Sequence, residues 1–105
     1  VSETIEERIA RLHRHGVIDM HFDLPMDLYD KRGRQNVLAT DFLEDLEAGD
    51  IGVAGAALYL DDRFLPEMGL RTALDQIARL YIEVGESEHF AICRSYRQIL
   101  DSRAQ

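Results

Sequence analysis

The spacing of apolar residues changes several times along the chain, and each change marks an element. Thr4-Ile5-Glu6-Glu7 is a capping-box pattern, in which Thr and Glu each satisfy a free backbone N–H. Ile5, Ile9 and Leu12 follow at i, i+4 and i+7, which predicts an amphipathic helix ending at Gly16. Val17 to Leu24 is rich in β-branched and apolar residues and predicts a strand stopped by Pro25. Met26 to Asn36 has little periodicity and reads mostly as loop, with a short helical turn open to Met26, Leu28 and Tyr29. Asp41-Phe42-Leu43-Glu44 is a second start signal, with Phe42, Leu43 and Leu46 on one face and Gly49 as a left-handed stop.

Gly52 to Leu60 is a nearly continuous run of small and apolar residues, the pattern of a strand buried on both faces whose glycines and alanines let helices approach. After Pro66, the residues Leu70, Ala73, Leu74, Ile77, Tyr81 and Val84 form the clearest helical stripe in the chain, ending near Gly85. Phe90 to Cys93 predicts a third short strand, and Ser95 with Gln98 starts a last helix carrying Tyr96, Ile99 and Leu100. Helices and strands therefore alternate, which predicts an α/β fold of right-handed βαβ units on a parallel sheet. Ligands of such sheets sit at the carboxyl ends of the strands, here Met20 to Leu24, Tyr59 to Asp62 and Cys93 to Ser95.

Composition narrows the function. With 105 residues the chain holds one domain, and 46% hydrophobic residues suffice for a modest core. Twelve basic residues scattered among 20 acidic ones give a net charge of −8, which argues against nucleic acid as a partner. Lys31, Arg32 and Arg34 come nearest to a basic cluster and read as a solvated loop. Cys93 has no partner for an internal disulfide, and no thiol pair has metal-ligand spacing. No apolar run approaches the roughly 18 residues of a membrane span, and the first residues contain no apolar signal core, so the expectation is a cytoplasmic protein.

His21 and Asp23 are the leading candidates for chemistry. The period of two places both on one face at the end of the first strand, where an imidazole nitrogen and a carboxylate make half of a divalent metal site. Asp19, one step deeper, either orients His21 from behind or serves as a structural cap or hydrogen-bonding group. Asp61-Asp62 is open to a cation or phosphate role but is the ordinary start of a solvated loop. His13 and His15 belong to a charged helix end, His89 to a polar turn and Cys93 to the core. There is no Gly-rich phosphate loop, and no serine or cysteine sits in a nucleophile elbow.

The stretch Val17-Ile18-Asp19-Met20-His21-Phe22-Asp23-Leu24-Pro25 resembles the first strand of the renal (membrane) dipeptidase family, metallopeptidases of the amidohydrolase group, where an Asp-x-His-x-Asp-Leu-Pro segment supplies metal ligands. Leu46-Glu47-Ala48-Gly49-Asp50-Ile51-Gly52-Val53-Ala54-Gly55 is similar to that family's Leu-x-x-Gly-x-Val-Gly-Gly entry into its second strand. The resemblance implies a TIM-type (β/α)8 barrel with a binuclear zinc site that hydrolyses dipeptides through a metal-bound hydroxide. His21 and Asp23 would be the first two ligands and Asp19 a supporting residue. A bridging glutamate and two histidines of the family pattern have no counterpart in these 105 residues, and such a barrel takes about 250.

The expectation is therefore an N-terminal fragment, with residues 1–16 a leading helix and 17–105 the first three βα units. It would be inactive alone, with its catalytic residues elsewhere, and would associate with itself or with the rest of a barrel. Met26 stands where the family often has tryptophan. The alternative is a non-catalytic α/β assembly module that self-associates or complements a partner, as exposed sheet edges favour. A phospho-acceptor receiver fits poorly, because Lys31 is the only lysine and such a domain needs one late in its sheet.

Overall fold

The computed structural model describes residues 2–103. Thr4 caps helix α1 (Ile5–Leu12), its Oγ1 accepting the Glu7 N–H at 3.1 Å, and Glu3 holds Arg11 at 2.9 Å. Among the described residues none covers its amphipathic face: every residue of α1 is exposed, Ile5 by 72%. Gly16 makes the turn that follows at φ +85°, a conformation strained for any residue with a Cβ.

Strand β1 (Val17–Phe22) pairs in parallel with β2 (Ile51–Ala56), Val17 opposite Ile51 and Phe22 opposite Ala56, with an irregular register between Asp19 and Phe22. The mixed α/β class and parallel pairing agree with the alternating pattern. Gly55 has a different purpose from the one its composition suggested. A Cβ there would lie 2.6 Å from the Met20 carbonyl oxygen, so glycine admits the neighbouring strand and not a helix.

Several boundaries differ from the expected ones, each for a local reason. Strand β1 ends at Phe22, two residues early, because Pro25 does not break structure there but sits in the first turn of helix α2 (Leu24–Asp30), where its missing N–H costs nothing. Helix α2 thus takes in Met26 to Asp30, five of the eleven residues read mostly as loop, and it buries Leu24, Pro25, Met26 and Leu28. A π-helical turn, Leu38–Phe42, leads into α3 (Leu43–Ala48). The left-handed residue after α3 is Asp50, at φ 58°, and not Gly49. Strand β2 stops at Ala56 because the chain beyond finds other partners: the side-chain amide of Gln76 donates to the Tyr59 carbonyl at 2.6 Å and its oxygen accepts the Tyr59 N–H at 3.4 Å.

The third strand is not formed. Phe90 to Cys93 has no regular structure, and the sheet of the described residues has two strands. Phe90 packs instead against the core of Leu24, Leu28, Val37 and Leu38, together with Phe22, Phe42, Leu80 and Val84. Helix α5 (Tyr96–Arg103) starts as expected, Ser95 Oγ accepting the Gln98 N–H at 3.1 Å and Gln98 Oε1 accepting the Arg94 N–H at 2.7 Å.

Helix α4 (Gly69–Gly85) occupies the residues its stripe foretold but presents a different face. Gly69, Thr72, Gln76 and Glu83 are buried against the α2 side of the molecule, while Leu70 is 76% exposed and Leu74, Ile77 and Tyr81 are exposed too. At 100° per residue the two faces are centred roughly 140° apart. Glu83 accounts for the choice: its carboxylate accepts the backbone N–H groups of Val37 and Leu38 at 3.4 and 3.3 Å, where the π turn begins, and Arg79 Nη2 at 2.8 Å. Turning the apolar stripe inward would strip those backbone donors of their acceptor.

Candidate functional site

The end of β1 alternates between core and solvent. Phe22 packs edge to face on Phe42, with ring centroids 5.8 Å apart, and Leu24 is buried. His21 and Asp23 lie between these anchors, with side chains 74% and 56% exposed. The two groups meet: His21 Nε2 is 3.1 Å from Asp23 Oδ1. Asp23 also stands at the N-cap of α2 without capping it through its side chain, so the carboxylate is free to face the imidazole. Asp19 engages the backbone of His21 and not its ring, Oδ1 accepting the His21 N–H at 3.0 Å. That contact is the local hydrogen-bonding alternative for Asp19, and it fixes the peptide on which the imidazole is mounted.

One imidazole and one carboxylate are two donors, where a catalytic zinc takes three protein ligands. Among the described residues no group of three or more His, Cys, Asp or Glu side chains is arranged to hold a metal. The pair therefore fits half of a zinc site by donor type and no more.

The other candidates take local roles. Asp61 Oδ1 accepts the Arg63 N–H at 3.2 Å and caps the 3-10 turn Asp62–Phe64. His13 Nδ1 lies 2.9 Å from Asp50 Oδ2, tying the end of α1 to the turn before β2. The His15 carbonyl accepts from Arg103 at 2.7 Å, and the His89 N–H donates to Ser87. Cys93 is a half-buried free thiol. Lys31 and Arg34 are not solvated bystanders: both bind Asp41, at 2.8 Å each, and Lys31 binds Asp27 at 2.8 Å as well.

Sequence reasoning did not find Glu83 or Gln76, because each sits off the apolar stripe where a polar residue is ordinarily solvated. Nor did it find the approach of Arg63 to Asp30, which joins positions distant in the chain. Comparison of the chain with protein-family models, with characterised proteins and with solved structures gives no match.

Proposed function

We propose that His21 and Asp23 are the first two ligands of a zinc-dependent dipeptidase whose (β/α)8 barrel opens with β1 and β2. The observation that carries this reading is the 3.1 Å approach of an exposed imidazole and an exposed carboxylate at the carboxyl end of a parallel strand. The Asp-x-His-x-Asp-Leu-Pro resemblance supplies the reaction class. Zinc, when bound, polarises a scissile carbonyl and activates water. The chain's own part is to present the two donors: Phe22 and Leu24 anchor the backbone around them, and Asp19 holds the intervening peptide.

With two donors the expected affinity is weak and dipeptide turnover by the 105-residue chain is nil. Titration with cobalt(II), a spectroscopic stand-in for zinc, should show saturable 1:1 binding that His21→Ala and Asp23→Asn each abolish while leaving the far-UV circular dichroism intact. Equal spectra for wild type and His21→Ala would remove the ligand assignment. Hydrolysis of dipeptides by the purified chain, lost in His21→Ala, would show instead that the site is already complete.

A second reading has its own observation. Ile5, Ile9 and Leu12 on α1, Ile18 and Met20 on β1, and Leu70 and Leu74 on α4 are all exposed. Apolar area on this scale suits an assembly module that self-associates or complements a partner. Light scattering across a dilution series should then show mass rising with concentration, and a folded monomer throughout would sink this reading.

A further inference from the structure

The end of α2 and the turn after β2 enclose a concave surface of about 430 Å³ lined by Tyr29, Asp30, Arg32, Arg63 and Phe64. The Tyr29 and Phe64 rings meet edge to face with centroids 6.1 Å apart. Each carries a guanidinium, Arg32 at 4.3 Å from the Tyr29 centroid and Arg63 at 4.7 Å from that of Phe64. The two cations are not equivalent. Arg63 Nη2 donates to Asp30 at 3.1 Å and its Nε lies 3.7 Å from Asp61, so two carboxylates already offset its charge. Arg32 donates Nη1 to the Tyr29 carbonyl at 2.9 Å, and among the described residues it forms no ion pair. Its neighbours Lys31 and Arg34 are both committed to Asp41, so Arg32 is the cation of that basic stretch left for a ligand.

We propose that this surface binds a small aromatic carboxylate. A guanidinium presents a planar fork of N–H donors that matches a carboxylate, and with Asp30 and Asp61 both beside Arg63 the surface has no net positive charge, which suits a monoanion better than a phosphate dianion. The edges of the two rings, beside the guanidiniums, give a flat body an apolar contact within an otherwise polar surface. The surface is distinct from the His21 and Asp23 pair, since Asp30 lies seven residues beyond Asp23, about 10 Å along the helix. The proposal does not rest on the zinc reading.

Benzoate is the probe, followed by NMR through the Arg32 Nε–Hε and the Tyr29 and Phe64 ring signals of the full chain. Binding should saturate, with acetate and inorganic phosphate at least about tenfold weaker, and Arg32→Ala should weaken benzoate about tenfold or more, as expected for loss of a charge-assisted pair. Phe64→Leu should weaken benzoate and leave acetate unchanged, and His21→Ala should leave both unchanged. Wild-type affinity in Arg32→Ala, acetate or phosphate binding as well as benzoate, or loss of benzoate binding in a folded His21→Ala would each overturn the proposal.

Discussion

The region around α2 and α4 and the two-stranded sheet are built on opposite terms. In the first, Leu28, Val37 and Leu38 are almost wholly buried, and the polar side chains of Gln76 and Glu83 are buried with them. In the second, Ile18 and Met20 lie bare, Met20 by 82%, and α1 beside it buries no residue at all. The molecule is accordingly elongated, 61 × 29 × 26 Å, with a radius of gyration of 16.4 Å against about 13 Å for a compact chain of this length. The difference shows what positions the candidate ligands. The sheet is not itself a core; the end of β1 is fixed because Phe22 and Leu24 reach into the neighbouring one, and His21 and Asp23 are held at the border between packed and unpacked halves.

If polar closure of the backbone governs the packed half, its removal should have the largest effect. Glu83→Ala leaves the N–H groups of Val37 and Leu38 and the guanidinium of Arg79 without their buried acceptor. The expected cost is about 3 to 5 kcal/mol, the range for breaking a buried pair on one side. Urea denaturation followed by circular dichroism measures it, and a cost near zero would mean that the apolar contacts alone set the orientation of α4.

A matched pair of truncations sharpens the same contrast. Leu28→Ala should cost about 2 to 5 kcal/mol because Leu28 is fully enclosed. Leu70→Ala, the first residue of the stripe, should change stability by no more than about 0.5 kcal/mol because its side chain already faces water. A large loss from Leu70→Ala in a monodisperse sample would show that the apolar face of α4 is covered in solution.

Gly55→Ala tests the other half. The added methyl meets the Met20 carbonyl, a backbone atom that cannot swing aside, so the strands must separate or slip. The expected cost is roughly 1 to 3 kcal/mol. Faster hydrogen exchange at Val17 and Ala57, whose N–H groups bond to Asp50 and Phe22, should accompany it. Unchanged exchange at those amides would show that the added methyl is absorbed locally and leaves the strand pairing intact.

Much of the fold was legible where local chemistry decides it. Thr4, Ser95 with Gln98, and the turn at Gly16 act through neighbours a few residues away, and the long stripe located α4 to within a residue or two. What the pattern hid was the direction of burial. An apolar stripe marks the face that gains most by leaving water, yet α4 buries the face whose Gln76 and Glu83 satisfy backbone groups 17 to 46 residues away, and nothing local encodes such partners. Phe90 misled for a related reason: β-forming residues predict a strand only when a strand edge is their best partner, and here the core is. The period of two anticipated that His21 and Asp23 would meet, but β1 ends at Phe22 and Asp23 reaches the imidazole from the N-cap of α2, not from a strand position. The engagement of Asp19 with the His21 backbone depends on side-chain rotation that spacing does not specify.

The smallest effect expected concerns the charged group at the edge of the packed half. Arg34 and, after it, Lys31 hydrogen-bond to Asp41 and hold its carboxyl far below the ordinary value of 3.8; Asp41 in turn raises Arg34, while Lys31 is raised by Asp27 first and Asp41 second. A carboxyl depressed in the folded state binds protons more readily once the chain unfolds. Its contribution to stability is therefore complete above the unfolded value near 4 and is lost as pH falls from there toward the folded value. At neutral pH the contribution is modest, because the pair is near the surface and salt screens it. Asp41→Asn should thus lower the urea midpoint slightly at pH 7, and the gap between variant and wild type should close as pH falls below about 4. A gap that persists unchanged to the acid limit would mean that Asp41 acts through its shape and hydrogen bonds and not through its charge.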